Sequence, residues 1–179
     1  MRLASAILGL IATQLAATTL ERLSLDEMAQ KSTEIVSARV IGSSATARGP
    51  VLYTRYRIQV VQRWKGAPAA ELDVHVPGGR QGAVRQTFAG APRLVEGEEY
   101  LLFLWTGKSG LTQVIGLSQG VFEMKRDAKG EVMVSRNAST ETMVDAGTGQ
   151  VVEDRPVLMK LIDMSNRIHR ALAAPTASQ

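Results

Sequence analysis

A chain of 179 residues with 45% hydrophobic and 21% charged content is long enough to bury a real core, and its composition is ordinary for a globular protein. It has no cysteine, which excludes disulfides, thiolate metal ligands, a catalytic thiol and a lipoprotein anchor, and its two histidines leave little for an imidazole metal site. The formal charge of +4 is basic without the dense patterning of a dedicated nucleic-acid binder, so neither nucleic acid nor a cofactor is expected.

The N-terminus reads as a signal peptide over residues 1–17. Arg2 supplies the positive end, Leu3 to Ala12 form an apolar run interrupted only by Ser5, and Ala16, Ala17 and Thr18 are small. The run is too short to span a bilayer, and no second apolar stretch follows, so the mature chain is expected to lack a transmembrane span and to be secreted or periplasmic. Ser24 and Glu27 have capping-box spacing and predict a short helix over 25–31. The period then changes to two, and Val36, Ala38 and Val40 predict a strand. Residues 42–50 read as a Ser/Gly/Ala loop.

Residues 51–64 alternate most clearly. Tyr56, Ile58 and Val60 share one face, and Arg55, Arg57 and Gln59 the other, as a sheet with one wet face requires. Arg63 and Lys65 continue the parity of Arg55 and Arg57, so the four cations form a candidate polyanion-binding face. The plainer reading is a solvated outer surface. In the next strand Leu72, Val74 and Val76 face the core, which leaves Asp73 and His75 on the surface. The glycine-rich segment 77–82 invites a phosphate cradle, but that needs a helix to open next, and Val84 to Phe88 is strand-like instead. Tyr100 to Trp105 is a continuous apolar run that suits a central strand buried on both faces. Gly107-Lys108-Ser109 imitates the end of a Walker A loop, but Leu102 stands where its first glycine belongs, so residues 107–110 read as a hairpin turn.

Gly116-Leu117-Ser118-Gln119-Gly120 fits the G-x-S-x-G pattern of a serine-hydrolase nucleophile elbow. His169 follows downstream with Asp145, Asp154 and Asp163 between, in the chain order of an α/β-hydrolase triad. The elbow requires strand, sharp turn and helix, whereas strand-like sequence lies on both sides of Ser118. The glycines are therefore expected to serve a bulge or a close backbone approach, and a serine hydrolase using Ser118 and His169 is kept as the alternative. Residues 136–153 read as a polar loop. Over residues 154–179, Asp154 is a candidate N-cap with Pro156 in the first turn, and Leu158, Leu161, Ile162, Ser165, Ile168 and Leu172 mark an amphipathic helix followed by a tail.

Several phrases recur as a set: Leu23 to Met28 after the leader, Trp64-Lys65-Gly66, Val76-Pro77-Gly78-Gly79, Gly97 to Leu104 (GEEYLLFL) and Gly116 to Gly120. Together, over residues 22–135, they resemble a group of exported bacterial proteins of unknown function with KG, PGG, GEEYLLFL and QG segments in this order. The strand order is also similar to the netrin/TIMP-like variant of the OB barrel, which implies a five-stranded antiparallel barrel with flanking helices. TIMP-type inhibitors chelate a protease zinc through an N-terminal cysteine, and this chain has none. The expectation is a mainly β domain over 18–135, an antiparallel OB-like barrel or sandwich with a short N-terminal helix and a C-terminal amphipathic helix. Its expected function is that of an exported, non-enzymatic binding module acting on an extracellular or periplasmic protein such as a protease, with an acidic polymer as the alternative ligand.

Overall fold

The computed structural model describes residues 19–174, and the expected signal peptide over residues 1–17 lies outside them. In chain order the elements are β1 (Thr19–Glu21), α1 (Leu25–Lys31), β2 (Glu34–Arg48), β3 (Val51–Lys65), β4 (Glu71–Pro77), β5 (Gly79–Gln81), β6 (Val84–Gln86), β7 (Glu99–Thr106) and β8 (Thr112–Val114). A 3₁₀ turn over Leu117–Gly120 leads into β9 (Val121–Arg126), β10 (Val132–Arg136), β11 (Thr142–Val144), β12 (Val151–Val152), β13 (Val157–Lys160) and α2 (Leu161–Ala173).

The described residues are mainly β, with two α-helices. One sheet runs β13-β10-β9-β7-β2-β3-β4, with β8 also on β7, and its strand pairs are antiparallel. Two small sheets, β1-β11-β12 and β5-β6, stand apart from it. No ladder closes the main sheet into a barrel among the described residues, although Val74 and Val76 of β4 share one core cluster with Val114 of β8.

β7 organises both halves of the interior. Tyr100, Leu102 and Leu104 pack with Val36, Ala38, Val40, Ile58 and Val74 inside the curled sheet. Leu101 and Phe103 point the other way and pack with Met28, Phe122, Met164 and Ile168 beneath the helices. Tyr100 to Leu104 thus form a central strand buried on both faces, as the apolar run predicts, whereas Trp105 at its end is 45% exposed. α1 starts where its capping box does: the Ser24 hydroxyl accepts from the Glu27 N–H at 3.2 Å, and the Glu27 carboxylate accepts from the Ser24 N–H at 2.8 Å.

The structure corrects several expectations. The loop expected over 42–50 is the outer part of a long β2–β3 hairpin that turns only at Gly49 and Pro50, because residues 42–48 pair with 51–57. The polar loop expected over 136–153 contains β11 and β12, and β1 pairs in parallel with β11. The C-terminal helix begins at Leu161, not near Pro156, because Val157 to Lys160 extend the main sheet beside β10. Asp154 is no helix cap; its carboxylate accepts from the Arg136 guanidinium at 2.7 and 2.9 Å and from the Ser139 N–H at 2.8 Å. His75, expected on the surface, is 9% exposed, since the curl brings β4 close to β8.

Candidate functional site

Ser118 sits where a long edge ladder is interrupted. β8 pairs with β7 at Leu104–Thr106, and β9 pairs with β7 at Tyr100–Leu102. Residues 116–120 are looped out between these two ladders. Gly116 lies at φ +60° and opens the loop, and Gly120 closes it. A Cβ on Gly120 would lie 2.7 Å from the Ile115 carbonyl oxygen and 2.9 Å from that of Phe103, so only glycine fits this pinch. The strained non-glycine residue of the loop is Leu117, at φ +56°, not the serine. A strand follows instead of a helix, so the aligned amides of a nucleophile elbow do not form here.

The turn has a structural use. Gln119 is 1% exposed and reaches across to the N-terminal segment. Its Oε1 accepts from the Leu23 N–H at 2.8 Å, and its Nε2 donates to the Glu21 carbonyl at 2.8 Å. One side-chain amide thus stands in for a missing strand partner. The cleft of about 430 Å³ beside Ser118 is lined by Arg93, Tyr100, Arg136 and Glu141 and by no histidine. His169 is exposed on α2, whose buried residues Met164, Ser165, Ile168 and Ala171 dock on the helix-covered core. Asp145 is taken up by the turn amides of Gly147 and Thr148, and Asp154 by Arg136.

The four cations of β3 do not share one face. The β2–β3 register slips between Ile35 and Val36 and again between Ser37 and Ala38, so Arg63 lies opposite Val36 of the inner core, while Arg57 and Arg55 lie opposite Gly42 and Ser44. Arg63 is largely buried and paired with Glu34. The Lys65 ammonium donates to the Ala29 and Gln30 carbonyls at 3.0 and 2.8 Å, and burial pushes its pKa down. It therefore caps the C-terminus of α1. Only Arg55 and Arg57 remain outward, with Asp73 between them at 3.8 and 3.3 Å.

A larger cleft lies elsewhere. The β5–β6 hairpin and the segment 87–96 enclose about 620 Å³ against the mouth of the curled sheet. Gln86 pins the hairpin base: its Oε1 accepts from the Leu52 N–H at 2.7 Å, and its Nε2 donates to the Pro50 carbonyl at 2.9 Å. Gly78, at φ +102°, turns the chain from β4 into β5 and accepts from the Thr54 hydroxyl at 2.9 Å through its carbonyl. Tyr56, Val76 and Leu94 line the cleft from the buried side, and Phe88 remains 43% exposed at its wall. Arg80, Arg85 and Arg93 also line it, and no carboxylate lies within 4.0 Å of any of them among the described residues. Arg80 faces Arg85 directly across the hairpin. Its one carboxylate, Glu96, accepts from the Ser43 hydroxyl at 2.6 Å.

A second cleft of about 400 Å³ runs between β4 and β8, with His75, Pro77, Trp105 and Val114 on its walls. Burial pushes the His75 pKa below its ordinary value, partly opposed by the Thr112 backbone and Asp73, and His75 Nδ1 has no hydrogen-bond partner among the described residues. No three His, Asp or Glu side chains converge as a metal-binding group among the described residues. No helix described is long and apolar enough to cross a membrane.

Comparison of the chain with protein-family models, with curated proteins and with solved structures finds no match in any of the three. Sequence reasoning missed Gln119 and the cleft arginines. Arg80 and Arg85 carried a legible signal, because two strand-like triplets around Gly82-Ala83 make a hairpin that sets them face to face.

Proposed function

We propose that the protein is an exported, non-enzymatic binding module that engages an extracellular or periplasmic protein. The observation that carries this reading is the cleft at the mouth of the curled sheet. At about 620 Å³ it is larger than the clefts beside Ser118 and His75, cationic and apolar side chains line it without a histidine, and its one carboxylate, Glu96, accepts from the Ser43 hydroxyl. Binding surfaces need apolar anchors and a few oriented polar groups, whereas acid–base chemistry needs a titratable pair within hydrogen-bond reach. The curl of β4, β3, β2, β7 and β8 supports an OB-like arrangement, a fold that binds polymers at such a mouth. Export rests on Arg2 and the apolar run Leu3 to Ala12.

A fluorophosphonate probe separates this reading from the hydrolase alternative. The folded protein is expected to remain unlabelled. Labelling that disappears in Ser118→Ala would overturn the non-enzymatic reading. Mass spectrometry of protein from the native host should find a mature N-terminus close to Thr18, and an intact Met1 would overturn export.

A further inference from the structure

We infer that the cleft at the sheet mouth takes an acidic, apolar peptide segment, with a carboxylate held between Arg80 and Arg85. The inference rests on the binding-module reading and names the ligand chemistry of that same site.

β5 and β6 form an isolated two-stranded hairpin, an arrangement of marginal intrinsic stability. Its central cross-strand pair is Arg80 with Arg85, two like charges directly opposite, and such pairs destabilise a hairpin. Opposite charges at such a pair would stabilise the hairpin instead. Here neither arginine has a carboxylate neighbour; Arg80 Nε donates only to the Gly82 carbonyl at 3.2 Å. Conflicts of this kind are expected where function overrides stability. A carboxylate entering between the two guanidinium groups would turn the repulsive pair into two charge-assisted contacts, the geometry for which arginine is suited.

The surroundings decide what carries that carboxylate. Arg93, on the segment that forms the other wall, offers a second cationic position. Phe88 and Val95 are exposed at the same cleft, 43% and 52%. A sulfated or uronic polysaccharide has anions in plenty and can lay a sugar C–H face on a phenyl ring, but it carries no large apolar side chain to fill the space beside Val95 and Leu94. A peptide that alternates acidic and large apolar residues supplies both. Extended, it presents successive side chains to opposite sides, so that its acids meet the arginines while its apolar side chains reach Phe88. The hairpin is pinned at its base by Gln86 to the β2–β3 turn, so the arginines are held in place before the ligand arrives.

The test uses the purified full chain and fluorescence anisotropy. The probe is a fluorescein-labelled peptide of alternating Glu and Phe, with a Gln-for-Glu version and an all-Glu version as controls. The alternating peptide is expected to bind saturably and the Gln version to lose binding. The all-Glu version should bind about tenfold more weakly, as should Phe88→Ala with the alternating peptide. Arg80→Gln/Arg85→Gln should weaken binding about tenfold or more, with the thermal midpoint unchanged or raised because the repulsion is gone. A raised midpoint with lost binding shows that the loss is not unfolding. Arg55→Ala/Arg57→Ala should bind like the wild type. Absence of peptide binding, or equal loss in the Arg55/Arg57 variant, would overturn the assignment. So would heparin displacing the peptide and binding Phe88→Ala undiminished, because the occupant would then be a polysaccharide. These failures leave the module reading standing, which falls instead on Ser118-dependent labelling.

Discussion

Replacing Gln119 with leucine tests whether the G-L-S-Q-G turn is a structural strap. Leucine is close in size, so the packing volume is nearly kept, and the change removes two 2.8 Å hydrogen bonds at a residue 1% exposed. The Leu23 N–H and the Glu21 carbonyl lose their partners. An unsatisfied buried group costs about 1–3 kcal/mol. Both groups are only part-buried, so the lower half of that range applies, and the added apolar burial of leucine offsets about 1 kcal/mol. The expected net loss is about 2 kcal/mol, or roughly 4–8 °C in the thermal midpoint for a chain of this size. Urea unfolding followed by the fluorescence of Trp64 and Trp105 measures it. Amide exchange at Leu23 locates it, since that N–H should lose protection before the β7 amides do. A change below about 0.5 kcal/mol, the range of an ordinary surface substitution, with Leu23 protection intact, would refute the strap. Gln119→Glu adds a sign. The introduced carboxylate still accepts from Leu23, but when ionised it has no proton for the Glu21 carbonyl. Its folded pKa is therefore raised, and its stability should recover as pH falls through that value.

Two further predictions concern buried charge. The Arg136–Asp154 pair has side chains only 10% and 4% exposed, so Asp154→Asn should cost about 3 kcal/mol in urea unfolding by leaving the arginine uncompensated. Burial raises the Asp154 pKa, but the Arg136 hydrogen bonds and the Ser139 amide outweigh it, and the net shift is below the ordinary 3.8. Its contribution is therefore present above 3.8 and lost as pH falls through the lower folded value, and the acid-side loss should be shallower in the variant. His75 has the opposite charge type. Its folded pKa is lowered, so the unfolded chain binds the extra proton first and stability should fall as pH drops below 6.5. His75→Phe should remove that component of the pH profile, and an unchanged profile would show that another group carries it.

The parts of the fold legible in the sequence are those fixed by local chemistry. The Ser24/Glu27 capping box set the start of α1, and the unbroken run from Tyr100 marked a strand buried on both sides as far as Leu104. A period-two pattern reports faces only while the register holds, and β3 shows the limit. Arg55, Arg57, Arg63 and Lys65 share one parity in the chain, yet the slips opposite β2 turn Arg63 inward to Glu34 and carry Lys65 to the end of α1. The adjacent apolar pair Val60-Val61 breaks the alternation of β3 and marks one slip, where Val61 is the extra residue, and Trp64 is the extra residue of the other. The C-terminal helix failed for a related reason. Asp154 and Pro156 are sound helix-start residues, but Asp154 is claimed by Arg136 from a different strand, and Val157 to Lys160 satisfy their backbone against β10 before the helix begins.

The candidate site was harder to read than the fold because its signal is a conflict and not a motif. Ser118 advertised itself through glycine spacing, and those glycines serve a pinch in the ladder at Ile115 and Phe103. Arg80 and Arg85 are unremarkable one at a time. They become informative only when the hairpin register sets them opposite each other and no carboxylate is found within 4.0 Å of either among the described residues. In a chain of formal charge +4 with 17 acidic residues, counterions for a single hairpin were available within the sequence. Asp73 takes up two arginines of β3, and Glu99, Glu34 and Asp154 each take one. Arg80, Arg85 and Arg93 take no part in these pairs, and they line the cleft at which Phe88 is exposed. That distribution turns a weak overall basicity into a local field able to orient an anion.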